Sequence, residues 1–89
     1  MCTGIVEAAE VSGSGKGPQG WFKLEQVNAS YDHPSDASFE YSLNLDFVSL
    51  KDGPAARVAV ELSPESARRL VELITSTLSK GLEVNSPSE

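Results

Sequence analysis

The sequence predicts an α+β domain of β-β-β-β-α order, a four-stranded antiparallel sheet with one C-terminal helix packed on one face. Three observations predict it. In residues 39–47, Phe39, Tyr41, Leu43, Leu45 and Phe47 alternate without exception with Glu40, Ser42, Asn44 and Asp46. Residues 56–62 repeat the pattern, with Ala56, Val58, Val60 and Leu62 on one parity. Then Ala67, Leu70, Val71, Ile74 and Leu78 take the i, i+3, i+4, i+7 spacing of a helix with one apolar stripe. Period-two alternation means a strand with one face on a core and one face polar. A one-residue slip would turn all five apolar side chains of residues 39–47 into water, so the register is strongly specified.

In chain order, residues 2–11 read as the first strand, although Ala8 and Ala9 weaken the alternation. Residues 12–20 hold four glycines and Pro18 and are predicted to form a mobile loop or long hairpin tip. Residues 21–31 form the second strand. Its apolar parity switches between Leu24 and Val27, and a β-bulge near Glu25-Gln26 accounts for the switch. Pro34 starts a loop over residues 33–38. Asp52-Gly53-Pro54 is a turn signal that joins the third and fourth strands as a hairpin. Ser63 is placed as the helix N-cap, with Pro64 at the first helical position and Glu65 at the positive end of the dipole. Glu65 with Arg69, and Arg68 with Glu72, are i, i+4 pairs on the outer side. Lys80 and Gly81 supply a cation and a C′ glycine to end the helix.

The expected organisation is one domain over residues 1–81 and a disordered tail over 82–89, rich in Ser, Pro and Glu. The helix stripe is wide enough to cover one sheet face. The other face would stay partly bare, so a homodimer is expected, through that face or an edge strand.

A chain of 89 residues has room for one modest core. Apolar residues at 39% and charged residues at 22% fit a folded protein. Thirteen acidic against seven basic residues give a net charge of −6, which disfavours nucleic acid and anionic membranes as partners. No apolar run approaches the roughly 18 residues of a membrane span. Residues 1–11 carry Glu7 and Glu10 and no positive segment, so no secretory signal is expected and the location expected is cytoplasmic. A single cysteine forms no disulfide within one chain. Removal of Met1 would leave Cys2 with a free amine beside its thiol.

Cys2 and His33 are the only residues of their kinds, and together they form the one chemical centre that residue type allows. As a metal pair, Cys2 and His33 suit zinc or copper. As an acid–base set, His33 would work with Asp32 and Glu40. Asp32 and His33 are neighbours, so on a strand they would point to opposite faces. Trp21, Tyr31 and Tyr41 are candidates for lining a small-molecule site. Gly13-Ser14-Gly15-Lys16-Gly17 fails as a phosphate loop: Glu10 stands where the first glycine belongs, and Gly17-Pro18 follow the lysine. Asn28-Ala29-Ser30 matches a glycosylation sequon, which means nothing without secretion.

Met1-Cys2-Thr3, the run from Gly13 to Pro18 with Gly20-Trp21-Phe22, and Ser30-Tyr31-Asp32-His33-Pro34 resemble a family of short actinobacterial proteins of unknown function. Asn44-Leu45-Asp46-Phe47-Val48 and Ala56-Arg57-Val58-Ala59-Val60-Glu61-Leu62-Ser63 fit the same pattern. The resemblance implies further histidines just after Asp-His-Pro and beside the acidic residue that is Glu40 here. Those places hold Asp36 and Tyr41 in this chain. The family brings no established activity. Three functions therefore stand side by side: a small molecule or metal ion bound in a pocket near Cys2 and His33; an enzyme of specialised metabolism using His33 and a carboxylate; and a non-catalytic interaction or accessory protein.

Overall fold

The computed structural model of the chain describes residues 4–35, 38, 40–51 and 56–84. The elements are β1 (Ile5–Gly17), β2 (Gly20–Asp32), β3 (Ser42–Val48), β4 (Arg57–Leu62) and α1 (Pro64–Val84). The strands form one antiparallel sheet in the order β1-β2-β3-β4. This is the α+β architecture that the two periodicities predict.

Register follows from the alternation. Tyr31 opposes Leu43 and Leu43 opposes Leu62; Ala29, Leu45 and Val60 form the next row, and Val27, Phe47 and Val58 the third. These rows make one apolar face. Asn28 opposes Asp46 and Asp46 opposes Ala59, while Ser30, Asn44 and Glu61 form the row beside them on the polar face. The turn Asp52-Gly53-Pro54 lies outside the described residues. β3 begins at Ser42 rather than at residue 39: Tyr41 is not strand, and Phe39 lies outside the described residues.

The glycine-rich segment differs from its predicted loop. β1 runs through it to Gly17, and only Pro18 and Gln19 form the turn. Proline sets the first corner, and Gly20 at φ 110° takes a backbone conformation that side chains rarely adopt. Two of the alternating glycines, Gly15 and Gly17, have a packing reason. Gly13 opposes Leu24 and Gly15 opposes Phe22. A Cβ on Gly15 would sit 2.9 Å from Leu24 Cδ1 and 3.2 Å from Phe22 Cζ. At Gly17 it would lie 3.4 Å from the Arg57 carbonyl oxygen. The sheet therefore coils until the β1–β2 tip approaches the start of β4, and bare glycine backbone makes room for Phe22 and Leu24.

The bulge is on the other strand from the one expected. Glu10 opposes Gln26 and Gly13 opposes Leu24, so Val11 and Ser12 together face Glu25. The extra residue belongs to β1. Regular alternation along β2 then sends Phe22 and Leu24 to the same face as Gln26 and Asn28, and Val27 to the opposite one. The parity switch records two faces used at two ends of one strand.

α1 starts as predicted. The Ser66 amide donates to Ser63 Oγ at 3.1 Å, and the Ala67 amide to the Ser63 carbonyl at 2.9 Å. Arg69 pairs with Glu65 at 3.4 Å, exposed on both sides. The helix does not stop at Gly81 but continues to Val84, because an interior glycine weakens a helix by about 1 kcal/mol without forbidding it. Residues 85–89 lie outside the described residues. The stripe also fails to cover the sheet: no residue of α1 is buried. Among the described residues only Ser42 and Ser49 are buried, and no hydrophobic side chain is. No described helix is long and apolar enough to cross a membrane.

Candidate functional site

The chemistry predicted from the sequence gathers at the end of the sheet where β2 leaves and β3 begins. Asp32 ends β2, and its carboxylate accepts the backbone N–H of His33 at 2.7 Å, which turns the chain out of the strand. The ring of His33 is held from the other side of the loop. Its Nδ1 lies 3.0 Å from the Glu40 carbonyl oxygen. A carbonyl can only accept, so Nδ1 carries the proton, and in the neutral ring the lone pair is on Nε2. His33 stacks on Tyr41 at 4.8 Å between ring centroids and 24° between planes, and Tyr41 stacks on Tyr31 at 5.5 Å and 3°. The two tyrosines and the imidazole thus form one three-ring column.

The loop is pinned underneath. Ser42 is fully buried, and its hydroxyl lies 2.6 Å from Asn44 Oδ1 and 3.2 Å from the Asp32 carbonyl. The Ser35 amide donates to Glu61 Oε2 at 2.5 Å, which ties the loop to β4. Among the sequence-predicted residues, then, Asp32, His33, Glu40, Tyr31 and Tyr41 come together. Glu40 contributes its backbone carbonyl to the ring and Asp32 its carboxylate to the backbone. Trp21 lies at the opposite end of β2, twelve residues from His33, a contour of roughly 40 Å. Cys2 lies outside the described residues. β1 begins three residues after it, where Ile5 opposes Tyr31. Among the described residues no group of three or more His, Cys, Asp and Glu side chains could hold a metal ion.

Each face of the sheet carries a concavity. On the polar face, a groove of about 340 Å³ is lined by Asn28, Ser30, Ser35, Asn44, Asp46 and Glu61, with Arg57 in its wall. Arg57 and Asp46 form a bidentate pair at 3.0 and 2.8 Å. Asn28 accepts from Gln26 at 2.7 Å. The polar groups of this groove pair largely with one another. On the apolar face, a space of about 460 Å³ separates Leu45, Phe47, Val60 and Leu62 from Ser66, Arg69, Leu70 and Leu73 of α1.

The model of a family described as "Family of unknown function (DUF6295)" matches residues 1–86, nearly the whole chain. The chain belongs to this family. Neither the curated proteins nor the solved structures contain a match. The stretch matched runs from Met1 through the loop with His33 to two residues past the end of α1, so it takes in every described element.

Sequence reasoning missed two members of this arrangement. Ser42 reads as an ordinary polar-face residue, yet it is the best buried side chain described. The Glu40 carbonyl is backbone, and backbone acceptors leave no trace in residue type. Glu25 was also missed. Its carboxylate accepts the Leu50 amide at 2.8 Å and the Ser49 hydroxyl at 3.4 Å, fastening the chain after β3. The Leu50 amide, with help from Lys51, Lys23 and Ser49, holds Glu25 below the ordinary carboxylate pKa against a smaller opposing effect of desolvation.

Proposed function

We propose that the protein binds a small molecule or metal ion through His33 at this end of the sheet, with Cys2 contributing when the ligand is a metal, and that it acts as a homodimer. One observation carries the reading: the hydrogen bond from His33 Nδ1 to the Glu40 carbonyl. It fixes the ring and leaves the Nε2 lone pair as the reaching atom, the arrangement that orients histidine ligands in metal sites and histidine acceptors in small-molecule sites. The Tyr41 stack restrains the ring plane and gives a flat ligand an aromatic wall. Both ligand classes meet the same chemistry, an electron-pair donor at Nε2. Zinc or copper suits an imidazole–thiolate pair.

Titration with Zn²⁺, followed by calorimetry, separates them. For a metal ligand, both His33→Ala and Cys2→Ala weaken binding at least tenfold. For a small molecule, Zn²⁺ shows no binding, and native mass spectrometry after incubation with a metabolite extract shows an adduct that His33→Ala and Tyr41→Ala remove. No zinc binding together with no His33-dependent adduct overturns the reading.

A further inference from the structure

The chain exposes 6,781 Å² of surface at a mass of 9.5 kDa. A compact monomer of that mass exposes about 5,000 Å². Its radius of gyration, 14.8 Å, also exceeds the roughly 12 Å of a compact domain of this length. Part of the excess lies in α1. Ser66, Arg69, Leu70 and Leu73 face the apolar side of the sheet. The residue after each of Ser66, Leu70 and Leu73 lies about 100° further round the helix, and these are Ala67, Val71 and Ile74 of the apolar stripe. From Val71 to the end of the helix every residue is exposed. Val71 is 63% exposed, Leu78 66% and Leu82 56%. Fourteen residues of helix, about 20 Å, carry an apolar stripe that stays exposed, with Ile74 the best covered of it at 49% exposure. A helix of that length is marginal in water without packing.

We infer that the stripe Val71, Ile74, Leu78 and Leu82, together with the apolar face of Leu45, Phe47, Val60 and Leu62, is the interface with a second copy of this chain. The inference rests on the homodimer proposed above and names its surface. The amount of surface argues for a second copy. Even half of an excess of roughly 1,700 Å² per chain gives about 1,700 Å² for a pair, the size of a standard stable interface. Shape argues likewise. One chain offers a helix stripe without a sheet and a sheet face without enough helix, and a two-fold axis lets each copy supply what the other lacks. Charge is compatible too. The stripe carries none, and Thr75, Ser76, Thr77 and Ser79 around its middle are neutral, while Glu72 and Glu83 adjoin its two ends.

The test is sedimentation equilibrium of the full chain, with thermal melting at several concentrations. The wild type runs at twice the monomer mass, and its Tm rises with concentration. Ile74→Glu and Leu78→Glu each weaken association at least about a hundredfold, since one substitution removes an apolar contact from both halves of the interface. Val6→Thr, an exposed valine on the polar face, leaves the mass unchanged. Wild-type amide exchange guards against variants that merely fail to fold: the amides of residues 74–82 are protected at high concentration and lose protection on dilution. A monomeric wild type with a concentration-independent Tm overturns the dimer itself. A dimer that survives both glutamate variants overturns this surface and leaves the homodimer standing.

Discussion

At the scale of single residues, the chain uses glycine and glutamate in ways that their type does not announce. Gly15 faces Phe22 and Leu24 at distances that leave no room for a side chain, whereas a Cβ on Gly13 would meet nothing within 4 Å. Gly15→Val is therefore expected to destabilise the fold by about 1–3 kcal/mol, while Gly13→Val is neutral or slightly stabilising. Urea denaturation of the two variants checks the contrast. Glu25 makes a second case. Its folded pKa lies below the ordinary 4.5, so what it adds to folding is complete above that value and is lost as pH falls through the lower folded value. The Leu50 amide should exchange faster, relative to other amides, as pH falls through the lowered folded value, and Glu25→Gln should flatten that dependence. His33 belongs at this scale as well. Its identity was legible, but the partner that orients it is a main-chain carbonyl seven residues on, which no residue pattern reveals.

At the scale of elements, β3 and β4 were legible because alternation fixes the face of each side chain before any partner is known. The helix start was equally legible from Ser63 and Pro64. The helix end was not. Gly81 can stand at C′ with positive φ or inside a helix with negative φ, and the local sequence serves both. Here Gly81 is helical, outside the left-handed region, with open space where a Cβ would go. Gly81→Ala should raise stability by up to about 1 kcal/mol, read from the denaturation midpoint; at a C′ position the same change would lower it. The glycine-rich stretch of β1 was misread for a related reason. Glycine signals a turn by its freedom, but it also signals close packing by its missing side chain. Only the strand opposite tells the two apart.

At the scale of the whole molecule, no hydrophobic side chain among the described residues is buried between sheet and helix. Leu45, Phe47, Val60 and Leu62 form a floor that α1 overlooks with one flank of its first turns, while the remaining turns project beyond it. An isolated chain of this form leaves unburied the apolar surface that should hold it together, which is why its assembly is the measurement with most to say about it. The residues around His33 lie at the loop end of the same apolar face, beside Tyr31 and Leu43, so the site proposed for a ligand adjoins the face proposed for pairing.

The sequence by itself determined the order of the elements, the two faces of β3 and β4, and the cap of the helix, since each of these is written in neighbouring residues. The tertiary structure decided the rest. It set which strand carries the bulge, what Gly15 and Gly17 pack against, which atom holds the imidazole, and how little of the helix is covered. Periodicity states which residues share a face. It does not state what covers that face, because the cover is brought from far along the chain, or from another chain.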